Sequence, residues 1–168
     1  MGQSSAGWKQ LTGWAGIEGQ WLRRKHFTPD VLAHIADRIK VSERNHTGEL
    51  VVAIEATSPA HEPNTHQRAL EVFGRLRVWD TPLNTGVLLY VALDKHRFEI
   101  IADRAIAAPN DLWEHIGIQL QARLQSKDYV GGILAAIDGI ESILRTRCPA
   151  LPPGQDNTND LSNDPVLL

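Results

Sequence analysis

The sequence predicts an α/β fold with a small mixed sheet, and three observations predict it. An apolar run rich in strand formers, Val87-Leu88-Leu89-Tyr90-Val91-Ala92-Leu93, is too short for a typical helix and reads as a buried strand. The polar turn Asp94-Lys95-His96-Arg97 then returns the chain through Phe98-Glu99-Ile100-Ile101-Ala102, which makes an antiparallel hairpin. Upstream, Glu49 to Glu55 (ELVVAIE) is a first strand separated from the hairpin by a helical segment, and strand-helix-strand favours a parallel pair. With 168 residues, 42% of them hydrophobic, the chain is long enough for one domain with a substantial core.

Taken in order, residues 1–25 form a leader. Trp8, Leu11, Trp14, Ile17, Trp21 and Leu22 recur at nearly helical spacing, with Lys9 and Arg23 to Lys25 around them, a pattern suited to a membrane surface or a partner protein. Gly13, Gly16 and Gly19 oppose a helix there, each by about 1 kcal/mol relative to Ala, which leaves an amphipathic segment, one packed on its own domain, or a disordered one. Thr28, Pro29 and Asp30 then supply an N-cap, a first-turn proline and a first-turn acid for a helix from about Pro29 to Glu43, with Val31, Leu32, Ile35 and Ile39 on its apolar stripe. Asn45 to Gly48 break the chain before the first strand, and the two prolines of Thr57 to Thr65 mark a loop. A second helix runs from about Thr65 to Leu76, with Ala69, Leu70, Val72, Phe73 and Leu76 toward the core. After the hairpin, a helix from about Asp111 to Leu124 is capped by Asp111 or Asn110, and a last helix starting near Tyr129 is apolar over a wide arc, as for a helix lying on a sheet. Pro149, Pro152, Pro153 and Gly154 stop it, and the folded domain is expected over residues 26–147. Residues 148–168 are polar, turn-rich and aperiodic, and read as a disordered tail.

Composition narrows the function. Lys and Arg number 17 against 20 Asp and Glu, so no bulk positive charge argues for nucleic acid. The single cysteine, Cys148, permits no intrachain disulfide and belongs to no zinc-ligand spacing. No window reaches a membrane span of about 20 apolar residues, and the N-terminus lacks a signal-peptide pattern, so a cytoplasmic location is expected.

Chemistry concentrates at one end of the hairpin. The loop Asp80-Thr81-Pro82-Leu83-Asn84-Thr85-Gly86 precedes its first strand, and Asp103-Arg104 ends its second, so antiparallel pairing brings Asp80, Asn84, Asp103 and Arg104 to one sheet end. If the ELVVAIE strand is a parallel neighbour, it starts at that same end and adds His46 and Glu49.

Several stretches together resemble the TPM domain family, often labelled a phosphatase domain: SERNHTGELVVAIE (42–55), ALEVFGRLRVWDTPLNTGVLLYVALDKHRFEIIADRAI (69–106), DLWEHI (111–116) and DYVGGILAAIDGI (128–140). The resemblance spans residues 26–147 and implies an α/β/α sandwich, with a small mixed sheet and helices on both faces. It further implies an acidic site at one sheet end that binds divalent cations, calcium notably, in some members, and an acid phosphatase activity in a plant member. The matching positions are Asp80, Asn84 and Asp103; Glu49, Arg104 and His46, placed nearby by chain position and not by the resemblance, are expected as surrounding or substrate-contacting groups.

The residue chemistry is compatible. Hard cations such as Ca2+ or Mg2+ take oxygen ligands, which Asp80, Asn84, Asp103 and loop carbonyls provide. The sequence carries no cysteine nucleophile followed by an arginine loop, no Walker lysine loop and no dense His/Asp set. The expected function is therefore a binding or regulatory module with a cation site, the alternative being a metal-assisted phosphatase acting on phosphate monoesters. Each group also has a plainer reading: Asp80 and Asn84 bonding their own loop's amides, Asp103 and Arg104 as a surface ion pair, Trp79 and Trp113 as packing.

Overall fold

A computed structural model of the chain describes residues 13–155 and 157–168; Trp8 and Leu11 lie outside them. The described elements are α1 (Trp14–His26), α2 (Pro29–Ser42), β1 (Glu49–Glu55), α3 (Thr65–Arg75), β2 (Gly86–Ala92), β3 (Arg97–Ala102), α4 (Asn110–Gln125), α5 (Tyr129–Arg147) and β4 (Val166–Leu167), with a 3-10 turn over Glu43–Asn45. The sheet has four strands in the order β3-β2-β1-β4. β1 pairs parallel with β2 in the register Glu49↔Gly86 to Glu55↔Ala92, and β2 pairs antiparallel with β3 from Val87↔Ala102 to Ala92↔Arg97. The strand-helix-strand unit and the hairpin are thus neighbours in one mixed sheet.

Every residue of β1 and β2 is buried, because helices cover both faces of these central strands. On one face Leu50, Val52, Ile54, Val87, Leu89 and Val91 join the apolar stripes of α2, α4 and α5 in the main core. On the other, Val51, Ala53, Leu88, Tyr90 and Ala92 meet Ala69 and Val72 of α3. The result is the expected α/β/α sandwich. Thr28 caps α2 by accepting from the Val31 N–H, as its sequence position predicts. At α4 the expected side-chain cap is replaced: Pro109 holds the N-cap position, and neither Asn110 nor Asp111 serves.

The tail departs from expectation. Residues 157–168 lie against the domain, and Val166–Leu167 add a parallel strand to the outer edge of β1, opposite Ala53 and Ile54. The Leu168 N–H donates to the Ile54 carbonyl at 3.0 Å, and its own carbonyl accepts from the Ala56 N–H at 3.3 Å. Leu161, Val166 and Leu168 pack on the α3-side cluster. A bare strand edge offers unsatisfied backbone groups, and two or three apolar residues suffice to satisfy them. So short a strand leaves no periodicity to read.

The α3 face also holds a buried ion cluster. The Arg68 guanidinium donates to both Glu55 carboxylate oxygens, at 3.0 and 2.6 Å, and the Tyr90 hydroxyl donates to Glu55 as well. Arg68 also reaches Glu71 at 2.8 Å. The Tyr90 hydroxyl is pushed well above its ordinary value, first by burial and then by its bond to Glu55.

Candidate functional site

The expected site lies where β1 and β2 begin and β3 ends. The loop entering β2 is closed on itself: the Thr85 N–H donates to the Thr81 hydroxyl at 2.9 Å, and the Thr85 hydroxyl donates to the Thr47 carbonyl at 2.8 Å, stitching the loop to the segment before β1. Asn84 takes a left-handed conformation with φ 53°, which asparagine tolerates better than most residues. Gly86 is required by contact: a Cβ there would stand 1.9 Å from the Val78 carbonyl oxygen, which crosses directly over it.

Asp103 is held at this end of the sheet by its N–H, which donates to the Gly86 carbonyl at 2.9 Å. It lies two residues beyond Ile101, so it stands on the α3 face of β3, just as Glu49 stands on that face of β1 two residues before Val51. Glu49, Gly86 and Asp103 therefore form a row across three strands, with the two acids about 10 Å apart at their Cα atoms, two strand spacings. The Asp103 Oδ1 accepts from the Arg104 N–H at 2.7 Å, whereas Oδ2 is buried with no hydrogen-bond partner. Glu49 repeats the pattern: Oε2 accepts from the Leu161 N–H at 3.4 Å, and Oε1 is buried without a partner. Burial drives its pKa upward, against the lowering effect of hydrogen bonding from Leu161, Asn157 and Asp160 of the tail. A carboxylate oxygen removed from water and left unbonded is costly, so two in one row mark a place where something further is wanted.

The other expected members are engaged elsewhere. Asp80 forms an ion pair with Arg77 in place of bonds to its own loop's amides, and both side chains are well exposed. Arg104 is exposed and reaches Asp103 through its backbone. His46 is buried, with its Nε2 2.6 Å from Glu141 Oε2 and its Nδ1 accepting from the Gly48 N–H at 3.1 Å. With Nδ1 accepting, Nε2 carries the proton, and the two ring nitrogens are taken by Glu141 of α5 and by the Gly48 N–H just before β1. The His46 ring is thus engaged in holding α5 to the segment before β1. Trp79 stands 49% exposed against Arg77, while Trp113 packs at the rim of the main core. Among the described residues, no three His, Cys, Asp or Glu side chains are grouped as a metal ion would need. Cys148 is buried and its thiol is pushed up to about 11 by burial, which leaves little thiolate for chemistry.

Sequence reasoning missed Glu43, a buried acid that anchors the tail. The Glu43 carboxylate accepts from the Leu50 N–H at 2.8 Å and from the Asn163 amide, satisfying the edge of β1 where β4 does not reach. Asn157 donates to the Glu43 and His46 carbonyls at 3.5 and 3.4 Å. Burial pushes the Glu43 carboxyl up from 4.5 to about 8, against the lowering effect of the Leu50 bond, with Glu49 and Glu141 adding repulsion and Asn163 opposing it. The folded state therefore holds this proton more tightly than the unfolded chain does, so its stabilising share is complete below about pH 4.5 and is lost as pH rises through 8. Glu43→Gln keeps the shape and removes the titration. Thermal melts from pH 5 to 9 should show the parent losing roughly 5 °C or more relative to the variant, whose profile is flatter. Parallel profiles would contradict the assignment.

The family model described as TPM domain matches residues 23–143. The chain is similar to the BA42 protein from the psychrophilic bacterium Bizionia argentinensis, solved by NMR, with a TM-score of 0.73 and 26% sequence identity over 84% of this chain and 94% of that one. No curated protein sequence matches.

Proposed function

We propose that this chain, which belongs to the TPM domain family, is a divalent-cation-binding module, with a regulatory or scaffolding role, whose site is the sheet end around Asp103. The observation that carries the reading is the Asp103 Oδ2, a buried carboxylate oxygen without a partner beside a polar loop. Glu49 Oε1 is a second such oxygen on the same face of the sheet. The residues fit a hard cation in kind: Asp103 and Glu49 supply anionic oxygens, and Asn84 and Asp80 lie on the adjoining loop. Asp80 joins only by leaving Arg77. When bound, the ion neutralises the buried carboxylates and ties loop to strand. With so few carboxylates the affinity for Ca2+ is expected to be weak, on the order of 10⁻⁴ to 10⁻³ M.

A Ca2+ and Mg2+ titration followed by amide NMR tests this. Saturable shifts at residues 80–86 and around Asp103, at least tenfold weaker in Asp103→Asn by a rough estimate, support it; no saturable shift at millimolar cation overturns it. Retained affinity in Asp80→Asn would leave the loop carboxylate out of the site. Cation-dependent hydrolysis of a phosphate monoester, lost in Asp80→Asn, would replace the module by the phosphatase reading.

A further inference from the structure

α1 is packed the wrong way round for a helix that only covers its own domain. Its small residues face in: Gly19 lies so close to the chain after β1 that a Cβ would stand 1.7 Å from the Ala56 carbonyl oxygen, Gly16 abuts Thr57, and Ala15 is buried. The Thr57 hydroxyl donates to the Gly16 carbonyl at 3.2 Å, and Leu22 alone of the large apolar residues of α1 enters the main core. The glycines that weaken the helix locally are thus used for close approach, and they fix its rotation. The bulky residues face out: Trp14, Ile17 and Trp21 are 67%, 66% and 54% exposed and form one stripe at i, i+3 and i+7. Burial of large apolar groups drives packing, so an outward stripe of this size, as distinct from scattered single residues, marks a surface that meets something.

Charge identifies what it meets. Arg24 and Lys25 flank the stripe at the end of the helix, and the Lys25 Nζ sits 4.5 Å over the Trp21 ring. The helix's single acid, Glu18, is paired with His96 at 3.2 Å. The chain as a whole carries a net charge of -3, so this basic flank is local. We infer that the outward face of α1 docks on an anionic phospholipid surface, with Trp14, Ile17 and Trp21 entering the headgroup boundary and Arg24 and Lys25 meeting lipid phosphates. Indoles favour that boundary because one edge is apolar and the N–H is wet. Thirteen residues make a helix of about 20 Å, which lies on a bilayer and does not cross it. Among the described residues, no helix is long and apolar enough to cross a membrane. This docking is independent of the cation site, since neither Asp103 nor Glu49 belongs to α1.

The test is flotation of the full chain with vesicles of phosphatidylcholine alone and of equal parts phosphatidylcholine and phosphatidylglycerol. Binding is expected to the anionic vesicles, weakening with added salt. Trp14→Ser with Trp21→Ser should reduce it about tenfold or more, and Arg24→Glu or Lys25→Glu by about fivefold or more each. Trp79→Ser, at a half-exposed indole elsewhere, should change nothing. Because the substituted side chains are exposed, unchanged melting temperatures will show that the variants are folded. Failure to float with anionic vesicles overturns the inference, as does binding that survives the double tryptophan substitution. Capture of a protein through the same stripe without vesicle binding overturns it too.

Discussion

Arg68→Ala is expected to destabilise the fold by about 3–5 kcal/mol, the largest loss of any substitution considered. The reason is what remains behind. Glu55 is 3% exposed and sits at the end of a central strand, and with Arg68 gone its charge keeps only the Tyr90 hydroxyl for company. For a chain of this length the loss corresponds to a fall of roughly 10 °C or more in melting temperature. Arg68→Lys should recover part of it, since an ammonium keeps the charge but cannot span both carboxylate oxygens as the guanidinium does. Replacing the whole cluster, by Glu55→Leu, Arg68→Met and Tyr90→Phe together, should return stability close to that of the parent, because no unpaired polar group is then left in the interior. Thermal and urea melts of the three variants measure this. A single Arg68→Ala within about 1 kcal/mol of the parent would mean that the Glu55 carboxylate reaches water at little cost.

Gly86→Ala is expected to cost at least about 2 kcal/mol and to disturb the candidate site. The added methyl group cannot coexist with the Val78 carbonyl at 1.9 Å, and the obstacle is backbone, so the loop from Val78 to Thr85 must lift from the sheet. Its bonds through Thr81 and Thr85 are then strained or lost, and the surroundings of Asp103 change with them. The matched control is Gly74→Ala. Gly74 lies in α3 with nothing within 4 Å of its would-be Cβ, so alanine there should stabilise by about 0.5–1 kcal/mol. Amide spectra should show changes at residues 78–86 and 103 for Gly86→Ala and local changes alone for Gly74→Ala. Undisturbed loop amides in Gly86→Ala would show that the close approach is not needed.

Where local signals were strong, the elements match the sequence reading closely. β1 is observed over Glu49–Glu55 as expected, and α2, α3, β2, β3, α4 and the start of α5 lie within about a residue or two of their expected bounds, the usual uncertainty of element ends, whereas α1 and β4 had no expected bounds to match. The parallel neighbourhood of β1 and β2 followed from chain connectivity, and the meeting of Asp103 with the start of β2 followed from hairpin pairing. The site's details did not follow. His46 belongs by chain position to the sheet end, yet its ring is committed to Glu141, 95 residues away on α5. Asp80 belongs to the loop, yet its carboxylate is held by Arg77. Glu43, Glu55 and Arg68 look in the sequence like ordinary surface charges on a helix end, a strand end and a helix, and all three are buried.

The sequence by itself determined the sandwich, because burial period, capping residues and turn residues act over a few neighbours and can be read from them. It also determined the stock of acidic and amide side chains at the sheet end and the Trp-rich pattern of α1. Only the tertiary structure decided which carboxylate oxygens lack a partner, that residues 166–167 complete the edge of β1, and that α1 turns its glycines inward and its indoles outward. Each of these rests on contacts between residues dozens of positions apart, where a side chain's orientation and burial are set by what the fold brings against it and by nothing in its own segment.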